Sequence, residues 1–350
     1  MREGPLRRTL HLHAGPHKTA STYLQARLEV NRPALERQGL RYPTPWGEHS
    51  HRQLARALQA GRFEALERLL ARHRHWAGDL LLSAEHFVPI VSGSETLTAL
   101  QRVCSEAGYG LHVISVVRPQ AELLNSFYAH GLGRLYGAPS FQAYARAQLA
   151  GRRLRGPSRR RWIRMAPVAL DVERRFAPLL AQPQLRSSFL PLAPRHRDPF
   201  EQLLELLGLS PGDWLAAPPS QANEQLGRRG LGLAYLLNGE LDTLPLRRDR
   251  LIAEHRLNRL VDQLRDLARR RGWVSERFSG WRRRTLRRLE EQLGPGNERF
   301  AQRVWGCSWQ ELFVPEAFAA DRGLLLDQEL RDEARELFLA YRRRLPRALR

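Results

Sequence analysis

Three short apolar runs, each closed at its carboxyl end by a polar or turn-forming residue, constrain this chain most: Arg8–His13, Asp79–Ser83 and Leu111–Val117. The last two, DLLLS and LHVISVV, are continuous rather than alternating, the pattern of parallel strands buried on both faces. Between and after them the spacing predicts helices over Ser21–Val30, Pro33–Gln38 with Gly39 as a stop, Arg52–Trp76, Ser94–Ala107 and Ala121–His130. A strand–helix–strand rhythm of this kind predicts an α/β fold with a central parallel sheet flanked by helices. Further on, Leu185–Leu190 reads as a strand, Pro199–Leu207 as a helix and Pro211–Ser220 as a loop. From Asn223 the chain reads as largely helical, with apolar residues three and four apart in Leu231–Leu237, Arg250–Arg270, Arg282–Leu293 and Gln328–Leu345. The reading is one domain over 1–350, with an α/β core at 8–200 and a mainly helical extension at 200–350; 350 residues suffice for a sizeable core. There is no internal repeat.

Composition narrows the partners. The net charge of +21 draws anions: nucleic acid, an anionic membrane surface, an acidic small molecule or a polysaccharide, unless most of the arginines are simply solvated. No nucleic-acid partner is expected, because no recognition motif is present and aromatic residues are not interleaved with the basic run Arg152–Arg164. That run, RRLRGPSRRRWIR, is interrupted by Gly156-Pro157 and reads as an exposed loop or helix end. The two cysteines, Cys104 and Cys307, form neither a disulfide framework nor a metal-ligand spacing, which suits a reducing compartment. No stretch approaches the roughly 20 apolar residues of a membrane span, and Arg7-Arg8 is followed by a polar, histidine-containing segment instead of an apolar signal region. The expectation is a cytoplasmic protein.

The first apolar run leads into the most informative stretch, Leu10–Leu24, LHLHAGPHKTASTYL. Alternation puts His11 and His13 on one strand face and Leu10 and Leu12 on the other. The run breaks at Gly15-Pro16 and a helix starts near Ser21, with Leu24 and Leu28 as its buried face. A strand that turns through glycine into a helix leaves unpaired N–H groups aimed at one spot, where the helix dipole also favours negative charge. Lys18 adds a cation there, and Ser21 and Thr22 add hydroxyls. Of the 57 lysine and arginine residues only Lys18 is lysine, which points to a site where a compact ammonium is needed and a planar fork will not serve. The loop is not a Walker A motif, since only Pro16 and His17 separate Gly15 from Lys18.

Read together, Gly15-Pro16-His17-Lys18-Thr19-Ala20-Ser21-Thr22 resembles the 5′-phosphosulfate loop of the sulfotransferases that use 3′-phosphoadenosine 5′-phosphosulfate (PAPS). Arg118 and, eight residues later, Ser126, within RPQAELLNSFY, resemble the 3′-phosphate motif of that family. Leu82-Ser83-Ala84-Glu85-His86 is similar to the strand-end Ser-x-Glu of its bacterial members, which Ala222–Asn238 and Asn297–Phe313 also resemble. The departure is Ala20, where many relatives have glycine; a methyl group is small enough for the loop to survive. The resemblance implies a P-loop-like sheet and PAPS as donor, with no metal required. It implies Gly15 to Thr22 around the phosphosulfate, His17 towards the nucleotide, and Arg118 and Ser126 on the 3′-phosphate. Lys18 would stabilise the bridging oxygen as it leaves. Glu85 is the first choice for the base and His51 the second; Glu48, His49, His86 and His130 remain candidates, and Glu85 could equally pair with an arginine. Arg228-Arg229-Gly230 is similar to a basic tripeptide that touches the 3′-phosphate in some relatives, and equally reads as a solvated helix end. The implied acceptor is a hydroxyl or amine of a carbohydrate or glycolipid, a saccharide that could itself be anionic. The alternatives are an ATP-dependent P-loop phosphotransferase and a non-catalytic protein that binds polyanions.

Overall fold

The structure is a computed structural model that describes residues 8–44, 48–152, 169–192, 198–216, 225–244, 252–313 and 322–345, with backbone only for 252–256. Most of the basic run Arg152–Arg164, the end of the Pro211–Ser220 loop, and the first residues of the Ala222–Asn238 and Arg250–Arg270 segments lie outside the described residues. The chain divides into two compact units that interleave along the sequence: 1–119, 171–221 and 295–314 form the first, and 120–170, 222–294 and 315–350 the second.

The first unit runs β1 (Arg8–His13), α1 (Ser21–Val30), α2 (Arg32–Arg37), β2 (Leu40–Arg41), α3 (Arg52–Gln59), α4 (Glu64–Arg72), β3 (Asp79–Ser83), α5 (Val88–Val91), α6 (Ser94–Glu106) and β4 (Tyr109–Val117). After α7 (Gln120–Gly133) and α8 (Phe141–Leu149) of the second unit, it resumes with α9 (Val172–Leu180), β5 (Arg186–Pro191) and α10 (Pro199–Leu206). The second unit continues as α11 (Gly227–Asp242) and α12 (Ile252–Arg270). The boundary then falls inside α13 (Arg283–Trp305), and α14 (Trp309–Leu312) and α15 (Gln328–Arg343) end the described chain.

The fold is α/β, with a five-stranded, all-parallel sheet in the order β2-β3-β1-β4-β5. Parallel sheets need cover on both faces. On one face Leu10, Leu12, Leu80, Leu82, Val113 and Val117 pack with α3, α4, α6 and α9. On the other, Leu81, Ile114, Val116 and Leu190 pack with α1, α2 and α10. The chain leaves β1 towards β2 and β3 on one side and later returns to place β4 on the other. The carboxyl end of β1 is therefore the point where the strand order reverses, the place where open α/β sheets bind ligands. Among the described residues the second unit is all helical, with a core of Leu123, Tyr128, Leu231, Leu237, Leu264 and Phe338 among others. No helix among the described residues is long and apolar enough to cross a membrane.

Several elements depart from the sequence expectation. The single helix expected over Arg52–Trp76 is two, because Gly61 takes a left-handed φ of 74°. The N–H of Arg62 then bonds the Ala57 carbonyl (2.9 Å) and that of Gly61 the Leu58 carbonyl (3.0 Å), a helix-ending pattern that only glycine adopts without strain. Strand β2 has two residues, too few to show a period. Helix α13 does not stop at Leu293 but passes through Gly294-Pro295-Gly296 to Trp305. There the tertiary context overrides propensity: Phe300 is fully buried, edge-on to Phe189 at 5.1 Å, and Arg299 pairs with Glu173 at 2.6 Å.

Candidate functional site

The loop between β1 and α1 is rooted in the sheet. The Ala14 N–H donates to the Ile114 carbonyl (2.8 Å) and the Ala84 N–H to the His13 carbonyl (3.1 Å), while Ser115 Oγ donates to the Ala14 carbonyl (2.9 Å). Beyond Ala14 the backbone is bent in an unusual way. Lys18 (φ 68°) and Ala20 (φ 62°) are two of the three described non-glycine residues with positive φ. A left-handed alanine costs about 1–2 kcal/mol, a cost that persists where the surroundings over-determine it and that clusters at ligand clamps. The turn at position 20 takes a left-handed residue, a conformation that glycine adopts without this strain. Within the loop Thr19 Oγ1 donates to the Pro16 carbonyl at 2.5 Å. Helix α1 opens with no side-chain cap at Ala20, so no side chain of the N-cap accepts from its first N–H groups.

Gly15 is required by space rather than by φ. A Cβ there would lie 2.7 Å from His13 Nε2 and 2.7 Å from Ser21 Oγ, both buried and both without a hydrogen-bond partner among the described residues. His13 Nδ1 is 2.7 Å from Ser83 Oγ, which also accepts from Gln25 Nε2 (3.3 Å). Burial pushes His13 down to about 4, so its ring is neutral at pH 7. His13 was read from the sequence only as a strand-lining residue. Its place at the last position of a strand that runs into the loop was the available signal.

The residues named from the sequence fall into three groups. Arg118, directly after β4, donates through Nη1 to the Lys18 carbonyl at 2.9 Å. Gly15, Pro16, His17, Lys18, Thr19, Ala20, Ser21, Thr22 and Arg118 thus share one end of the sheet, with Pro16, Thr19 and Ser21 buried and His17 and Thr22 exposed. Glu85 also lies there, in the short turn after β3, with Oε2 4.0 Å from His17 Nδ1. The His17 and His86 rings meet edge to face at 5.4 Å, and burial, with the charges of His17, Arg56 and Arg52 nearby, lowers the His86 pKa.

His51 is a correction. It is neither a solvated loop residue nor available as a base, because it is buried and both ring nitrogens are engaged. Nδ1 accepts from the Ser83 N–H at 3.1 Å, which leaves Nε2–H to donate to the Pro43 carbonyl at 3.2 Å. Burial outweighs these two contacts and pushes its pKa down to about 4. His51 therefore fixes the loop before α3 to the end of β3. Ser126 lies on α7, in the second unit, as does His130.

A second buried polar chain crosses the same sheet face nearer the strand starts. His11 Nε2 is 3.2 Å from Asp79 Oδ2, the His11 and His112 Nδ1 atoms are 2.9 Å apart, and His112 Nε2 is 2.9 Å from Ser188 Oγ. One polarity satisfies every link: Ser188 O–H to His112 Nε2, His112 Nδ1–H to His11 Nδ1, and His11 Nε2–H to Asp79. Burial acts to raise the Asp79 pKa, but the bonds from His11 and the Thr9 N–H outweigh it and hold the carboxyl below its ordinary value. Burial and the neighbouring His11 push His112 down. Every imidazole here has a partner, so the chain reads as structural.

Compared with family models, curated proteins and solved structures, the sequence and fold match none of them.

Proposed function

We propose that this chain is a sulfotransferase that takes the sulfuryl group of PAPS and passes it in line to a hydroxyl or amine, on a carbohydrate or glycolipid acceptor. The observation that carries the reading is the 2.9 Å bond from Arg118 Nη1 to the Lys18 carbonyl. It joins two motifs a hundred residues apart in sequence that the family resemblance assigns to one nucleotide. The left-handed turns at Lys18 and Ala20 and the uncapped start of α1 support a P-loop-like anion cradle at the reversal point of the sheet.

In this reading the N–H groups opening α1 and the hydroxyls of Ser21 and Thr22 hold the phosphosulfate oxygens. Thr19 acts through the backbone, because its hydroxyl already bonds Pro16. Arg118 fixes the loop through one N–H and, as the resemblance implies, meets the 3′-phosphate. The resemblance gives Ser126 a hydroxyl contact to that phosphate, and the reading does not depend on it. Lys18 places its ammonium against the bridging oxygen, where charge develops as the sulfur–oxygen bond breaks. Glu85, 4.0 Å from His17, takes the acceptor's proton as the new sulfur–oxygen bond forms.

The test is calorimetric titration of adenosine 3′,5′-bisphosphate into wild type, Lys18→Ala and Arg118→Ala, without magnesium and with ATP as control. Micromolar binding is expected in wild type, lost in Arg118→Ala and weakened in Lys18→Ala. Binding no tighter than that of ATP, or equal in all three proteins, overturns the proposal in favour of bulk polyanion binding.

A further inference from the structure

Helix α3 turns a charged edge towards Glu85, the group to which the proposed acceptor brings its proton. The start of the helix is pinned to the end of β3: the His51 N–H donates to the Ser83 carbonyl (2.9 Å) and the Ser83 N–H to His51 Nδ1 (3.1 Å). Ala55 and Leu58 are buried in the core of that sheet face. Arg52, Arg56 and Gln59 follow one another at i, i+4 and i+7, a single stripe along the helix beside its buried face. Gln59 shows where the stripe lies, because its Nε2 donates to the His86 carbonyl. The two guanidiniums thus flank the turn that carries Glu85 and His86, and their charge, after burial and His17, helps to lower the His86 pKa.

Among the described residues no acid answers these two charges. Arg52 and Arg56 are exposed, and neither makes an ion pair or a side-chain hydrogen bond, with Glu85 or any other group. The helix does not favour them either. Like charges four residues apart oppose a helix, and Arg52, its first residue, sits at the positive end of the dipole. Elsewhere arginines at this spacing face acids, as Arg102 does Glu106 (3.0 Å) and Arg287 does Glu291 (2.9 Å). A hydroxyl that reaches Glu85 brings its neighbouring groups against the two guanidiniums. A neutral acceptor leaves them unanswered, whereas a carboxylate or sulfate near that hydroxyl offers each planar fork a matching pair of oxygens.

We propose that Arg52 and Arg56 form an acceptor subsite that selects an acidic saccharide, by holding a carboxylate or sulfate group close to the hydroxyl that Glu85 deprotonates. The inference rests on the sulfotransferase reading with Glu85 as its base, and narrows the carbohydrate acceptor of that reading to an anionic one.

The test is calorimetric titration, in the presence of adenosine 3′,5′-bisphosphate, with three oligosaccharides: one of alternating glucuronic acid and N-acetylglucosamine, one of N-acetylglucosamine carrying sulfate esters, and neutral N-acetylglucosamine. The proteins are wild type, Arg52→Ala/Arg56→Ala and, as a control for bulk charge, Arg68→Ala/Arg72→Ala, an equally spaced exposed pair on α4. Wild type is expected to bind at least one acidic probe and the neutral one more weakly; the acidic probe that binds identifies the group as carboxylate or sulfate. Arg52→Ala/Arg56→Ala is expected to weaken that binding about tenfold, the combined worth of two exposed charge pairs, with Tm unchanged or raised and affinity for the bisphosphate unchanged. Equal losses in the two double variants mean bulk charge, and a parallel loss of bisphosphate affinity means that the arginines serve the donor. No preference for the acidic probes, or no binding of any, means that there is no such subsite; each of these results overturns the inference. If wild type does not bind the bisphosphate, the donor reading fails by itself and the saccharides are titrated without it. The same dependence on Arg52 and Arg56 then sustains a site for acidic saccharides, and its absence refutes that site as well.

Discussion

Replacing Gly15 by alanine isolates the steric part of this site. The added methyl meets His13 Nε2 and Ser21 Oγ at 2.7 Å, closer than packed atoms tolerate, and His13 Cε1 at a tight 3.1 Å. Ser21 can relieve its contact by rotating its hydroxyl. The imidazole cannot, because Nδ1 is tied to Ser83 at 2.7 Å and its backbone lies in register with β3. Overpacking of this kind costs about 1–3 kcal/mol. Gly15 is not among the glycines with positive φ, so alanine fits the backbone and stiffens the unfolded chain, which returns about 0.4–1 kcal/mol. The expected net loss is about 1–2 kcal/mol, measured as a lower urea midpoint at unchanged slope, together with loss of bisphosphate binding. A variant as stable as wild type that still binds the nucleotide would show that the ring and the helix separate freely, and would refute the close packing argued for Gly15.

Two further perturbations address the loop and the buried imidazoles. Ala20→Gly removes a left-handed penalty of about 1–2 kcal/mol and adds unfolded-state entropy of about 0.4–1 kcal/mol; urea unfolding should show stability unchanged or raised, whereas a clear loss would mean that the turn is not strained. His13 and His51 are both held near 4 by burial, below the ordinary 6.5 of the unfolded chain, so the unfolded state binds more protons between these values. Their contribution to stability is complete above about pH 6.5 and falls as pH drops towards 4, by roughly 3 kcal/mol for each ring. Urea unfolding at pH 7, 6 and 5 should show this decline, with a shallower slope in His51→Gln; a flat profile contradicts the burial argument.

Much of the first unit is legible in local sequence because parallel strands buried on both faces leave an unmistakable pattern. Arg8–His13, Asp79–Ser83 and the start of α1 at Ser21 all follow from apolar runs and breakers. The loop at Lys18 and the strand-end positions of Arg118 and Glu85 follow from the same pattern, since a run that ends must turn. What depends on distant residues is not readable in this way. The return of 295–314 to the first unit is decided by the burial of Phe300 against Phe189, which outweighs the helix-breaking Gly294-Pro295-Gly296. His51 looks like a loop histidine until Ser83 and Pro43 close on its two nitrogens, and only the fold brings the Arg118 N–H to the Lys18 carbonyl. The close approach of His13 Nε2 to Gly15 is likewise visible only in the fold, where Ser83 meets the other nitrogen. The sequence by itself determined the strands other than β2 and the turn after β1, because these are contests between neighbouring residues. The tertiary structure alone decided which buried polar atoms were satisfied and which have no partner among the described residues, because hydrogen-bond partners come from strands that only the folded sheet brings side by side.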